Sequence, residues 1–504
     1  MQAVHGPVPA VTLTAATGVR LLTVSAPCAA LGGLGAALVF LVAHQALIDD
    51  AYITLDYARS LAQHGQWALV PGHPANTATS PLNVLLLAGL IVLSGHPVVS
   101  VGILLIVSLA ATGAALSAIC ARLERSSWLA AIAVSLLVVN PLLISTIGLE
   151  TYLGIALIAI LGAAVVARRP VAVGLLCGLL VLTRADLAAF ALAALIAVIA
   201  GSPTRTRARR AAQVMGVAGV VALPWFVVSW WWLGSAVPDT LLFKTSETWA
   251  GNSFAVGLWH YRLAYPLAVA LSVVPAALGL VVLAVRSAVG TRRRTGSAGV
   301  LAVVWGLGAL LHITVYLLLR PPPYHWYYGP AIGSLSMLAV LGVGILDRRL
   351  QWTGSTLGAV LIAAAVVFLV ARPWQIMPIS SNWASPAEYA ALAARAPSGT
   401  TVAAFGEVGT VAYFCDCTVV DRFSDRAQVA HLLRTERAAA NPVVRTLLDW
   451  NYHRFKAGPP IRPAYRFTFA EDPTGVDATS SWRSDASRMV VRPVASEGGR
   501  AAHR

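Results

Sequence analysis

Two adjacent carboxylates, Asp49 and Asp50, stand just beyond the first long apolar run, Leu21 to Ala43. Acids at the mouth of a membrane span are costly unless they bind or react with something, so the pair marks a site working at the depth of lipid headgroups. Other chemistry-bearing side chains sit at the ends of later apolar runs: Glu150, Arg184 with Asp186, Lys244, and the run His325, Trp326, Tyr327 and Tyr328. Each also has a structural reading. The aspartates suit a helix cap, Glu150 with Arg184 and Asp186 an ion pair between helices, Lys244 interfacial snorkelling, and the aromatic run an interfacial belt.

The elements that hold the aspartates are legible nearby. In the segment from Asp49 to Ala62, Ala51, Leu55, Ala58 and Ala62 share one helical face while Asp56 and Arg59 point elsewhere, which predicts an amphipathic helix on the membrane surface. Gly65 ends it, Pro71 to Pro74 form a turn, and Thr79-Ser80-Pro81-Leu82 opens a second helix. That second run, Pro81 to Leu93, is short for a crossing and is read as lying along the surface.

The chain is 58% apolar and 11% charged, with a mean hydropathy of +0.73, which excludes an ordinary soluble domain. Apolar runs near Leu21–Ala43, Val98–Ile119, Trp128–Asn140, Tyr152–Ala167, Val171–Leu182 and Leu187–Ala200 read as spans, as do Val214–Trp232, Leu267–Val285, Val300–Leu319, Pro330–Leu346 and Trp352–Val370. The expectation is an all-α polytopic membrane protein with about 11 transmembrane helices over residues 1–371, its first outer loop covering 44–96.

Charge placement orients it. With the N-terminus inside, 15 cations fall on inner loops, Arg168, Arg169, Arg292 to Arg294, Arg348 and Arg349 among them, against five on the outer side of the membrane part. Seven of the nine acids before residue 373 (Asp49, Asp50, Asp56, Glu150, Asp186, Asp239 and Glu247) then face outward, leaving Glu124 and Asp347 inside. The formal charge of +15 is therefore a topology signal and not a sign of nucleic-acid binding.

From Arg372 the composition becomes that of a soluble domain, and an odd number of crossings places residues 372–504 outside the cytoplasmic membrane. Ser385-Pro386-Ala387-Glu388 starts a helix that stops at Pro397-Ser398-Gly399. Thr401–Phe405 and Thr418–Asp421 read as strands flanking Gly406-Glu407-Val408-Gly409, giving a small α/β C-terminal extracytoplasmic domain. Glu407 reads as a turn or packing residue, and the stretch from Thr479 as loose. Cys28, Cys120 and Cys177 read as core fillers, while Cys415 and Cys417, one residue apart, are expected to stay unbridged.

The run Asp49-Asp50-Ala51-Tyr52-Ile53-Thr54, with Tyr57-Ala58-Arg59, Pro71-Gly72 and Thr79-Ser80-Pro81-Leu82, resembles the first outer loop of GT-C glycosyltransferases, most closely the actinobacterial terminal arabinofuranosyltransferases of cell-wall arabinan. Gly148-Leu149-Glu150-Thr151, Thr183-Arg184-Ala185-Asp186, Pro238-Asp239-Thr240, Tyr324 to Tyr328 and, in the tail, Gly406 to Gly409 fit the same pattern. The sequence departs from it at His73-Pro74-Ala75-Asn76, at Ala185 where proline is usual, and in a shorter tail.

The resemblance implies transfer of a sugar, arabinofuranose or another such as mannose, from a polyprenyl-phosphate donor to a cell-envelope glycan or a protein, with inversion. It implies Asp49 as the base that takes the acceptor's proton, with Asp50 orienting it, replacing it or holding a divalent cation. Lys244, Arg184 and His325 would meet the phosphate, Trp326 to Tyr328 the lipid neck or a sugar ring, and Glu150 sugar hydroxyls. A lipid-linked sugar transporter is the competing class; acids gathered on one face, with no internal repeat, favour the enzyme.

Overall fold

The computed structural model describes residues 15–247, 253–288, 297–346, 350–479 and 487–494. Arg292, Arg293, Arg294, Asp347, Arg348 and Arg349, all used in the charge count, lie outside the described residues.

Each of the eleven apolar runs folds as a helix. The first half comprises α1 (Ala15–Ala43), α2 (Asp49–His64), α3 (Pro81–Ser94), α4 (Pro97–Arg122), α5 (Ser127–Val138), a single turn α6 (Pro141–Ile144), α7 (Thr151–Val166), α8 (Pro170–Thr183) and α9 (Ala188–Ala200). Then come α10 (Thr204–Val228), prolonged by a π-helical turn Ser229–Leu233, α11 (Asp239–Ser246), α12 (Phe254–Ala264) and α13 (Pro266–Ala288). One further rod joins α14 (Ser297–Leu301), a π-helical stretch and α15 (Gly308–Leu319), before α16 (Gly329–Leu346) and α17 (Leu350–Ala371). Among the described residues six helices are long and apolar enough to cross a membrane: Ser25–Ala43, Pro97–Arg122, Thr204–Leu233, Pro266–Ala288, Gly299–Leu319 and Trp352–Ala371.

Local chemistry sets the helix starts. Pro81, Pro97 and Pro170 occupy first-turn positions, where a missing N–H costs nothing. Glycine sets how closely the helices meet: a side chain at Gly32 would strike the Leu109 carbonyl, and one at Gly113 the Cys28 carbonyl, so α1 and α4 pack backbone to backbone.

The tail folds as α18 (Pro386–Ala393), β1 (Thr401–Ala403), α19 (Gly409–Phe414), β2 (Thr418–Val420), α20 (Arg426–Ala439), α21 (Pro442–Asn451), β3 (Tyr465–Ala470) and β4 (Arg488–Pro493). Its sheet runs β2-β1-β3-β4, with β1 parallel to both neighbours and β3 antiparallel to β4. The Ser385 hydroxyl accepts from the Glu388 amide while the Glu388 carboxylate accepts from the Ser385 amide, a complete capping box.

Four expectations need correction. Helix α18 ends at Ala393, because Arg395 and Ala396 donate back to Leu392 and Ala393 in tight turns before Gly399. The end of the tail is not loose throughout: Arg488–Pro493 pairs with β3 and buries Met489 and Val490, while residues 480–486 and 495–504 lie outside the described residues. Cys415 and Cys417 are bridged, since Cys415 leaves α19 in extended backbone and brings the two Cα atoms to 5.0 Å, within disulfide range. Finally, α2 is not a helix with one free face: α19 covers its other side, and Asp56 is buried against Arg59 at 2.8 Å.

Candidate active site

Helix α2 begins at Asp49, whose carboxylate is turned into the C-terminal domain. Its Oδ2 accepts from the amides of Val408 and Gly409, each at 3.1 Å, and its Oδ1 from the Thr410 amide at 2.7 Å. These are the free N–H groups at the start of α19, so Asp49 serves as that helix's cap from a remote part of the chain. The fit is tight: a side chain at Gly409 would collide with the Asp49 carbonyl and with Ile53. Around it, Arg59 donates to the Tyr413 carbonyl at 3.1 Å and Tyr52 packs against Tyr413 and Phe414. Burial pushes the Asp49 carboxyl upward, and the three amides act against that.

Asp50 is placed differently. Its carboxylate takes no hydrogen bond from another described residue, and burial raises it to about 6 against the opposing pull of the Lys244 charge. Lys244, on α11, donates to the Tyr324 hydroxyl at 2.9 Å and lies 4.0 Å from that ring's centre. Burial drops its ammonium to about 8, while Asp50 and Asp421 hold it up. The helix carrying it is pinned to the first loop: Asp239 donates its amide to the Asn76 carbonyl at 2.7 Å, and Thr240 its hydroxyl to the Thr77 carbonyl at 2.6 Å. A carboxylate of raised affinity for protons thus lies within electrostatic reach of a lysine of lowered affinity, an arrangement suited to acid–base work on a phosphate-bearing ligand.

Glu150, Arg184 and Asp186 form a closed network. Arg184 reaches Glu150 and Asp186 at 2.8 Å each and donates to the Tyr316 hydroxyl. Asp186 also holds His312 at 2.7 Å and accepts from Tyr316 at 3.0 Å. The structural role fits Arg184 and Asp186 best, since their polar atoms are spent on protein. The network still reaches toward Asp50 through Tyr327, which stacks on Tyr316 at 4.6 Å, lies under Arg184 at 5.1 Å and feels the charges of Asp50 and Glu150.

The aromatic run divides. His325 is fully buried and its Nε2 donates to the Ser145 carbonyl at 3.2 Å; burial lowers it to about 4, so it is neutral and offers a phosphate no charge. Trp326 stacks on Tyr324 at 4.5 Å and Tyr328 on Phe254 at 4.4 Å, both inside the protein. Tyr327 alone of the four feels Asp50 as well as the Arg184 network. Among the described residues no three His, Cys, Asp or Glu side chains converge as metal ligands.

The fold of this bundle has solved counterparts. ArnT from Cupriavidus metallidurans in the apo state aligns over 95% of this chain and 98% of its own, with a TM-score of 0.54 at 15% identity. The chain has a GT-C fold. The same ArnT bound to undecaprenyl phosphate aligns over 95% and 98% with a TM-score of 0.49 at 14% identity. The Archaeoglobus fulgidus oligosaccharyltransferase, in complex with Zn and sulfate, aligns over 86% of this chain and 67% of its own, with a TM-score of 0.47 at 12% identity. No family model and no curated protein matches the sequence.

Sequence reasoning left several neighbours of Asp50 and Lys244 out of the site. Tyr324 adjoins the aromatic run and partners Lys244. Glu407, read as a turn residue, accepts from the Trp383 amide at 3.0 Å, and its carboxyl is pushed up by burial and by the charges of Asp49 and Asp50. Asp421 closes a turn on Ser424 and places the adjacent Arg422, which pairs with Glu247. A Gly-Glu-Val-Gly turn between strands was the one available signal for Glu407.

Proposed function

We propose that this chain is a membrane glycosyltransferase that takes a sugar from a polyprenyl-phosphate donor and passes it, with inversion, to a hydroxyl of a cell-envelope glycan outside the cytoplasmic membrane. The observation that carries the reading is the Asp50 carboxylate, which no other described residue hydrogen-bonds and which is raised to about 6, within electrostatic reach of Lys244. Asp50 accepts the acceptor hydroxyl's proton as the new bond to the anomeric carbon forms. The bond from that carbon to the phosphate oxygen breaks, and the departing polyprenyl phosphate carries its charge toward Lys244. Asp49, held by three amides, sets where Asp50 stands.

Arabinofuranose is the sugar we propose, on the likeness of the Asp49 to Leu82 loop to the arabinan enzymes. The test is transfer of labelled arabinose from synthetic decaprenyl-phosphate arabinose to a short arabinan acceptor by the purified protein, with and without a chelator. Transfer lost in Asp50→Asn supports the reaction and its base. Transfer of mannose but not arabinose moves the proposal to another sugar, and a donor that is bound and carried across liposomes without reaction overturns it in favour of transport.

A further inference from the structure

Among the described residues, helix α21 leaves an apolar face largely exposed. Val443, Leu447 and Trp450 recur at helical spacing with Val444 beside them; Leu447 is 61% exposed and Trp450 68%. The opposite face is the one that holds the helix in place, since Arg445 donates to the Arg437 carbonyl of α20 at 3.2 Å and Asp449 pairs with Arg437. A soluble domain ordinarily buries the apolar face and leaves the charged one to water.

The neighbour of this face identifies what covers it. Trp450 stacks on Trp230, and the Trp230 indole donates to the Trp450 carbonyl at 3.0 Å. Trp230 belongs to the end of the long apolar rod Thr204–Leu233, whose 18-residue apolar stretch is only 11% buried in the protein. From Ala211 to Trp232 that rod rises about 33 Å, the thickness of a hydrocarbon core, which places Trp230, Trp231 and the 80% exposed Trp232 at the level of the headgroups. Arg454 caps the belt, 3.5 Å over the Trp231 ring. The height of α21 is fixed against this mark: the Asn451 side chain accepts from the amides of Ala236 and Val237 at 3.0 and 2.9 Å, and Arg426 donates to the Leu233 carbonyl at 3.0 Å. The apolar face of α21 therefore continues the lipid-facing wall of the rod.

We propose that α21 is an in-plane membrane helix, lying in the headgroup region with Val443, Val444, Leu447 and Trp450 among the upper acyl carbons, and that the C-terminal domain rests on the lipid surface through it. Its consequence reaches Lys244, because α20 and Tyr452 pack on Leu242 and Phe243 of α11, two and one positions before that lysine. The lipid surface thereby sets the height at which that lysine stands.

The test is collisional relaxation of spin labels placed singly at V443C, R445C and L447C in the full chain, reconstituted in phosphatidylcholine–phosphatidylglycerol nanodiscs, with the native cysteines either buried or bridged. The expected result is a ratio of oxygen to nickel-chelate accessibility several-fold higher at 443 and 447 than at 445. Nickel access equal at all three positions overturns the proposal by placing the helix in water. Exclusion of both reagents at 443 and 447 overturns it by showing that protein, a second copy or a partner, covers the face. Labelling three positions guards against one variant that fails to fold.

Discussion

The Asp49 carboxylate takes a 2.7 Å hydrogen bond from the amide of Thr410, a residue 361 positions further along the chain. Asp50, its neighbour, takes none from any other described residue. This division predicts different failures. Asp50→Asn lowers transfer by about 10²–10⁴-fold, the usual worth of a positioned base, with melting unchanged. Asp49→Asn replaces one acceptor oxygen by a donor facing an amide and costs about 1–3 kcal/mol of docking. Limited proteolysis separates the two: the C-terminal domain becomes susceptible in Asp49→Asn and stays resistant in Asp50→Asn.

The pH dependence of kcat/KM is expected to be bell-shaped. Asp50 must be ionised to accept a proton, so activity rises as pH passes about 6. Lys244 must be charged to meet the leaving phosphate, so activity falls above about 8. Lys244→Arg keeps the charge and moves the alkaline limb upward while leaving the acid limb in place. A profile flat from pH 5 to 9 would remove Asp50 from the chemistry.

Gly409 is required for close approach rather than for an unusual backbone angle. Gly409→Ala drives a methyl group into the Asp49 carbonyl and Ile53, and lifts α19 from α2. Hydrogen exchange is expected to rise in residues 408–414 and 49–53 together. Exchange confined to the C-terminal side would mean that the two segments are not coupled.

Arg184→Met leaves Glu150 and Asp186 buried without their cation, an uncompensated loss on the order of 3–5 kcal/mol. The thermal midpoint should fall well below that of Asp50→Asn. An Arg184→Met protein that melts normally but has lost donor binding would reassign Arg184 to the phosphate.

What the sequence made legible was local. The apolar runs foretold the membrane-part helices that hold them, Gly65 the end of α2, and Ser385 with Pro386 the start of α18, because each depends on residues within a few positions of one another. The pairing of Asp186 with His312 spans 126 positions, and that of Asp49 with the start of α19 spans 359 to 361, so no window of sequence could display either. Choosing between the two aspartates needed that second contact. The polar composition after Thr479 likewise hid β4, whose partner strand fixes it.

The contact between Asp49 and α19 also has a meaning for synthesis. Asp49 is among the first tenth of the chain to be made, yet its three amide donors are translated about 360 residues later, roughly 20–70 s at ordinary elongation rates. Through that interval the first loop holds an acid with no partner, and Asp50 and Lys244 lack Glu407 and Asp421 as neighbours. A truncated or stalled chain would carry nearly all of the membrane helices and still lack a finished site, so competence arrives only with the last domain.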